Sequence, residues 1–171
     1  MDKRRAIQII TKAAELYRDN LEDQKVLFLY GLPKEVNKRL TENDFSFAKD
    51  GSTGQKLDIL ERMMLIKKNV TMMGEFTDRG PKLYTEKAAG NICGCIGFVK
   101  DKNTKLNVPN TLLKKDIRDV TAQPTYKVFA IMSKHYTDDR YSKIEKIDKN
   151  MNLQDCCFSE DIENMLEREI L

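Results

Sequence analysis

Apolar residues recur at spacings of three and four in two stretches of the first 70 residues. This period places them on one face of an α-helix, so we predict amphipathic helices over residues 2–21 and roughly 55–68. The apolar positions are Ile7, Ile10, Ala14, Tyr17 and Leu21 in the first helix, and Leu57, Leu60 and Met64 in the second. Between the helices, KVLFLYG resembles a short buried strand, and LPKEVNKRL can form a short helix at most.

Further along, the pattern changes to short apolar runs separated by turn residues. Five runs predict strands: VTMMGEF, PKLYT, ICGCIGFVK, TYKVFAIMSK and YSKIEKI. Between the third and fourth runs, PNTLLKKDIRDV predicts an inserted helix, which Asn110 or Thr111 would cap after Pro109. An acidic helix from about Ser159 completes the chain. Helices followed by consecutive antiparallel strands predict an α+β fold.

The length of the chain and the absence of a linker favour one domain over residues 1–171. Within it we expect a helical half (1–70), a sheet with an inserted helix (71–150) and an acidic C-terminal helix (151–171). The N-terminal helices should pack on a mostly antiparallel sheet of about four to six strands. Because the sequence contains neither a long apolar stretch nor the apolar core of a signal peptide, we expect an intracellular protein without a membrane partner.

Charge and cysteine content narrow the choice of partners. The net charge is +3, but residues 82–119 carry +4 and residues 153–171 carry −5. This separation suits a polyanion-binding surface with a distinct acidic face, although ordinary solvated faces explain it equally well. The cysteines form two close pairs, Cys93 with Cys95 and Cys156 with Cys157. These gaps are too short for the usual zinc spacing, so we predict free thiols and no metal.

Several segments together resemble a known family. They are AIQIITKAAELYRDNLEDQKVLFLY, FSFAKDGSTGQKLDIL, GPKLYTEKAAG, CIGFVKD, VPNTLLKKDIRDVT and VFAIMSK, in that order. They resemble the phage and mobile-element branch of the barnase–EndoU–colicin–RelE-like (BECR) nucleases and the related type II-A anti-CRISPR proteins that act on guide RNA. The resemblance covers most of residues 5–135, and GPKLYT and VPNTLLKKDIRD are its most specific parts.

One departure from this family concerns its histidine. In that branch a His-Leu-Thr-Gly type motif and a further helix follow the first strand. Here Tyr30 and Gly31 lead almost directly into LPKEVNKRLTENDFSF, and the only histidine is His135. Either other groups carry the chemistry, or this member binds RNA without cutting it.

The leading catalytic candidates lie in GPKLYT: Lys82, Tyr84 and Thr85. In an extended segment Lys82 and Tyr84 point one way while Leu83 and Thr85 point the other. Lys82 could hold a phosphate, and Tyr84 could stack on a base or donate a proton to a leaving oxygen. A solvated strand face with Leu83 in the core is the alternative.

The stretch VFAIMSKHY supplies two more catalytic candidates, Lys134 and His135. The lysine lies at the end of an apolar strand face, where it could reach into a cleft or extend from the sheet edge into solvent. The histidine is either a general acid at the end of a strand or an exposed bystander.

A second set of residues is expected to bind RNA. Asn110 and Thr111 would open a helix whose free N–H groups suit a phosphate, although simple capping explains both residues as well. Thr53 and Lys56 border the polar DGSTG loop, which a turn before a helix also explains. The remaining candidates are lysines of the basic region: Lys87, Lys100, Lys114 and Lys115.

The resemblance implies an anti-CRISPR protein of phage or mobile-element origin, acting on the guide RNA of a type II effector in the bacterial cytoplasm. Metal-free RNA cleavage needs no cofactor, because the 2′-hydroxyl of the RNA is the nucleophile. Two alternatives remain: a non-catalytic binder of the same fold that blocks guide loading or DNA binding, and a BECR-type ribonuclease toxin unrelated to CRISPR.

Overall fold

The structure, a computed structural model, describes residues 1–21, 41–43, 45–77 and 84–170. The expected strand KVLFLYG, the short helix after it and Lys82 lie outside these residues. Within the described part of the chain, no helix is both long and apolar enough to cross a membrane.

Two of the helices form one layer of the fold. Helix α1 spans Lys3–Leu21 and packs along α2, which spans Ser52–Met64 and leads into the single turn α3, Ile66–Asn69. Helix α2 begins after Gly51, whose positive φ of 75° favours glycine. Leu57 and Met64 of α2 are buried, as predicted, whereas the predicted Leu60 is half-buried and Ile59 and Met63 are buried as well.

Five antiparallel strands form the main sheet, in the order β4-β3-β2-β1-β5. The strands are β1 Met72–Glu75, β2 Lys87–Asn91, β3 Gly94–Lys100, β4 Asn107–Leu113 and β5 Tyr126–Lys127. Strands β6 Ala130–Ser133 and β7 Lys143–Ile147 pair in a second sheet. Helices with a mostly antiparallel five-stranded sheet confirm the predicted α+β fold.

The two faces of the main sheet are covered differently. Because alternate residues point to opposite faces, Ile96 packs against Ile59 and Met63 of α2, while Cys95 points to the other face. There Cys95 packs with Ile117 of a 3₁₀ turn, Ile117–Asp119, and with Val120. A third core lies below the small sheet and contains Leu153, Leu166 and Ile170.

The prediction of a helix over PNTLLKKDIRDV is wrong. Residues Asn107–Leu113 form strand β4, and only Ile117–Asp119 are helical, as the 3₁₀ turn. The strand form lets two consecutive leucines enter different cores, Leu112 beside α2 and Leu113 on the opposite face. A helix would place these neighbours only 100° apart and could not fill both cores.

Three other boundaries differ from prediction. The acidic C-terminal helix is only one turn, Glu160–Glu163, because Leu166 and Ile170 turn inward to the third core. The run TYKVFAIMSK divides into β5 and β6, which belong to different sheets. Strand β2 forms from KAAGN, whose small residues give little strand signal.

Candidate functional site

The chain before β2 crosses over the main sheet at Tyr84 and Thr85. The Glu86 amide still donates to the Phe98 carbonyl at 2.8 Å, as an extension of the β2–β3 ladder. One residue earlier, Thr85 lies above Gly97, where the Cβ of any other residue would be 2.6 Å from Thr85 Cγ2. The missing side chain of Gly97 therefore leaves the space that this crossing requires.

A β-bulge in the edge strand β4 meets the crossing segment. Thr111 pairs with Gly97 and Pro109 pairs with Phe98, so Asn110 is the extra residue. A bulge turns two successive side chains towards one face of a sheet. Asn110 and Thr111 are thereby both placed on the Gly97 face, where Thr111 Cγ2 would lie 2.9 Å from a Cβ at position 97.

Asn110 joins the two segments directly. Its Nδ2 donates to the Tyr84 carbonyl at 3.0 Å and to Thr85 Oγ1 at 3.2 Å. We call the set formed by Tyr84, Thr85, Gly97, Asn110 and Thr111 the crossing site. Four of these five residues were candidates from sequence; the structure brings them together, although they come from separate segments of the chain.

The chemistry of the crossing site is that of neutral donors at an open surface. Tyr84 is 88% exposed, Thr85 is half-buried and Thr111 is buried. Because Thr85 Oγ1 accepts from Asn110, its own hydroxyl proton is available to an oxyanion. Asn110 and Thr111 offer side chains here rather than the helix N–H groups that we expected, since β4 is not a helix.

The lysines predicted to bind RNA lie apart from one another. Lys100 is exposed at the end of β3, about 10 Å along the ladder from Asn110 at 3.3 Å per residue. Lys87 forms an exposed ion pair with Glu75 at 3.6 Å. Lys114 Nζ lies 2.8 Å from Asp58 Oδ2, and its hydrogen bond holds the pKa of that carboxyl below its usual value. Lys115 is also engaged in an interaction, so of these four lysines only Lys100 has a side chain with no ion pair or hydrogen bond among the described residues.

Thr53 and Lys56 lie on the other side of the sheet. Both belong to α2, which packs against the Ile96 face and not the Gly97 face. Thr53 Oγ1 accepts from the Ala48 amide at 3.0 Å and so closes the turn before the helix. The turn explanation accounts for Thr53, and Lys56 is exposed beyond it.

Lys134 and His135 lie on the connection between β6 and β7. Lys134 Nζ donates to the Asp139 carbonyl at 2.7 Å and lies 4.9 Å from the ring centroid of Tyr141. His135 Nδ1 lies 2.7 Å from Thr137 Oγ1. This hairpin follows β5, which lies at the sheet edge opposite β4, roughly 19 Å away at the usual strand spacing. No described contact joins these two residues to the crossing site.

A buried ionic cluster lies beneath the same hairpin, and no pattern in the sequence predicts it. Glu145 Oε1 lies 2.7 Å from Lys67 Nζ of α3 and accepts from Ser133 Oγ at 2.6 Å. Burial would raise the pKa of Glu145, but the hydrogen bonds from Lys67 and Ser133, with the charges of Lys67 and Lys143, lower it from 4.5 to about 2. The carboxylate stays ionised and ties β7 to α3.

Sequence reasoning also missed Gly97 and the bulge. The available signal was Pro109, because a proline in a strand is confined largely to edge strands and bulges.

Metal binding finds no support in the described residues, where no three His, Cys, Asp or Glu side chains lie close enough to hold an ion. The four cysteines, all described, form no disulfide.

Comparison with known protein families identifies a match for most of the chain. The sequence model of the family described as phage-Barnase-EndoU-ColicinE5/D-RelE like nuclease 4, or PBECR4, matches residues 33–150. This range is more than half of the chain and contains the whole crossing site. No curated protein and no solved structure matches the chain significantly.

Proposed function

Because the chain belongs to the phage-Barnase-EndoU-ColicinE5/D-RelE like nuclease 4 family, we propose that it is a metal-independent endoribonuclease that acts at the crossing site. The observation that carries this proposal is the double hydrogen bond from Asn110 to Tyr84 and Thr85. It fixes the backbone of Tyr84 and the hydroxyl of Thr85 at an open surface, where the 88% exposed Tyr84 side chain is accessible to a strand of RNA.

The proposed reaction is transesterification within the RNA. The 2′-oxygen attacks the adjacent phosphorus and loses its proton to solvent, while the bond from phosphorus to the 5′-oxygen breaks. Thr85 donates to a phosphate oxygen, and the Tyr84 phenol protonates the departing 5′-oxygen. The products are a 2′,3′-cyclic phosphate and a 5′-hydroxyl. Lys82, two residues before Tyr84, is proposed to supply the cation that the phosphate requires.

For the substrate we propose the guide RNA of a type II CRISPR effector, which makes the protein an anti-CRISPR factor of a phage or mobile element in the bacterial cytoplasm. This choice rests on the resemblance of GPKLYT and VPNTLLKKDIRD to the anti-CRISPR branch. Two rival functions remain: a non-catalytic binder, which the missing family histidine and the exposed acidic residues Glu160, Asp161 and Glu163 favour, and a ribonuclease toxin, with which the family is compatible.

The test is cleavage of guide RNA in the presence of chelator, with and without the effector. The wild type should release a shortened RNA that ends in a cyclic phosphate. Tyr84→Phe should slow this release by a factor of about 100 or more, because the proton donor is lost. Tyr136→Phe is the matched control, since Tyr136 is an exposed tyrosine on the distant hairpin.

Each of the two alternative functions predicts a different result in this cleavage assay. Intact RNA beside a shifted complex of this protein with the effector would favour the binder. Equal cleavage of unrelated RNA would favour the toxin. Full activity in Tyr84→Phe would remove Tyr84 from the mechanism.

A further inference from the structure

Asn110 presents a fixed acceptor to solvent. A primary amide has two N–H donors, and here one faces the Tyr84 carbonyl and the other faces Thr85 Oγ1. The Tyr84 carbonyl determines which end of the amide is the oxygen, because a carbonyl oxygen can only accept and therefore requires the Nδ2 end. The oxygen therefore points away from both partners. It accepts no hydrogen bond from any described residue, and Asn110 is exposed.

The same amide binds the backbone of an exposed aromatic residue. Tyr84 is 88% exposed, and its own carbonyl is the group that Asn110 binds. The backbone of Tyr84 and the amide of Asn110 therefore belong to one local unit, anchored on β4 through the bulge. An exposed aromatic ring beside a fixed hydrogen-bonding group is the usual arrangement for recognising an unpaired base by stacking and by its edge.

We propose that Tyr84 and Asn110 form a nucleobase subsite that selects a base carrying an exocyclic amino group. The base stacks on the Tyr84 ring, and its amino group donates to Asn110 Oδ1. This proposal rests on the proposed function, since it concerns the RNA bound at the crossing site. The ring hydroxyl lies at the edge of the stacked face, so stacking leaves it able to reach the neighbouring phosphate.

The acceptor atom, Asn110 Oδ1, determines which bases the subsite prefers. Adenine and cytosine each offer an amino group on the Watson–Crick edge, and guanine offers an amino and an imino donor. Uracil offers only an imino N–H between two carbonyl oxygens, which the Asn110 oxygen repels. In a duplex these donors are already paired, so the subsite takes single-stranded RNA.

The test uses RNA that cannot be cleaved, so that binding is measured separately from catalysis. Two short 2′-fluoro oligomers are compared by fluorescence anisotropy, one of adenosine and one of purine riboside, which differ only in the 6-amino group. The wild type should bind the adenosine oligomer about tenfold more tightly, the usual effect of one well-aligned hydrogen bond. Asn110→Ala should bind both oligomers equally.

Two further variants separate stacking from the acceptor. Tyr84→Ala should weaken the binding of both oligomers, whereas Tyr84→Phe should keep the tenfold difference because the ring remains. Asn107→Ala is the matched control for Asn110, since Asn107 is an exposed asparagine at the start of the same strand. Equal affinity of the wild type for both oligomers would overturn the subsite, and this measurement requires no variant to fold.

Failure of the subsite and failure of the nuclease give different results. Cleavage of guide RNA without any amino preference would overturn the subsite and leave the nuclease. An amino preference that Asn110→Ala abolishes, in a protein that cuts no RNA, would support the subsite and overturn the nuclease. A protein that binds neither oligomer would overturn the subsite.

Discussion

Gly97 is the residue on which the crossing site is built, although it has no functional group. Its pairing partner Thr111 and the crossing residue Thr85 both direct a methyl group into the space above it. Packing of this kind is as specific as a hydrogen bond, because protein interiors have no room for an added carbon without movement.

We therefore predict that Gly97→Ala displaces Thr85 and with it Tyr84. A new Cβ would lie 2.6 Å and 2.9 Å from the two threonine methyls. RNA cleavage should fall at least tenfold, and the free energy of unfolding should fall by about 1–3 kcal/mol. Urea unfolding and cleavage assays measure the two effects.

Gly54→Ala is the control for this substitution. Its added Cβ meets nothing within 4 Å and lies inside α2, so it should raise stability by about 0.5–1 kcal/mol and leave cleavage unchanged. If Gly97→Ala cleaved RNA as fast as the wild type, the packing explanation of the site would be wrong.

At the scale of elements, each sheet has a bulge among its described strands, and each bulge directs a polar side chain. In β4 the extra residue is Asn110, which binds the crossing segment. In β7 it is Glu145, because Met132 pairs with Ile144 while Ile131 pairs with Lys146. Glu145 thereby meets Lys67, and Lys146 Nζ donates to the Val70 carbonyl, so the hairpin is held to the main body by two adjacent residues.

The Glu145 cluster predicts an acid-sensitive attachment of the hairpin. Its pKa is about 2 in the folded chain against 4.5 ordinarily, so its stabilisation is complete above pH 4.5 and is lost as the pH falls towards 2. Between pH 7 and pH 3 the wild type should lose about 2 kcal/mol more stability than Glu145→Gln. Urea unfolding at both pH values measures this difference.

Glu145→Gln should itself be less stable than the wild type at pH 7, by about 3 kcal/mol, because the buried ion pair between Glu145 and Lys67 is lost. Glu75→Gln is the control, as the exposed Glu75–Lys87 pair should change stability little. Parallel pH curves for the wild type and Glu145→Gln would contradict the role given to this cluster.

At the scale of the whole molecule, the described chain has three separate cores. Two lie on the faces of the main sheet, and the third joins the small sheet to residues after position 150. The family match ends at that position, so the part of the third core that Leu153, Leu166 and Ile170 supply comes from outside the matched region. The crossing site lies on β4, at the edge of the main sheet opposite β5, the strand that precedes the small sheet.

Substitutions in the third core should therefore lower the stability of the protein without changing its RNA cleavage activity. Leu166→Ala should lower the free energy of unfolding by about 2–4 kcal/mol, since Leu166 is buried in the third core. RNA cleavage by the folded variant should match that of the wild type. Ile162→Ala, at a position 41% exposed, is the control and should change stability little. Loss of cleavage in folded Leu166→Ala would show that the third core acts on the site.

The local pattern of the sequence determines the α+β class, helices α1 and α2 and strands β1, β3 and β7, because helix and strand periods depend only on neighbouring residues. It also singles out Tyr84, Thr85, Asn110 and Thr111 individually. Their side chains gather only in the tertiary structure.

The rest depends on contacts between residues far apart in the chain. Whether Leu112 and Leu113 belong to a helix or a strand was decided by two cores on opposite faces of a sheet. The bulge at Asn110 exists only against the register of β3, and Gly97 matters only because Thr85 crosses above it. Register and crossing are properties of paired strands and not of either strand alone, so the tertiary structure alone could assemble the site.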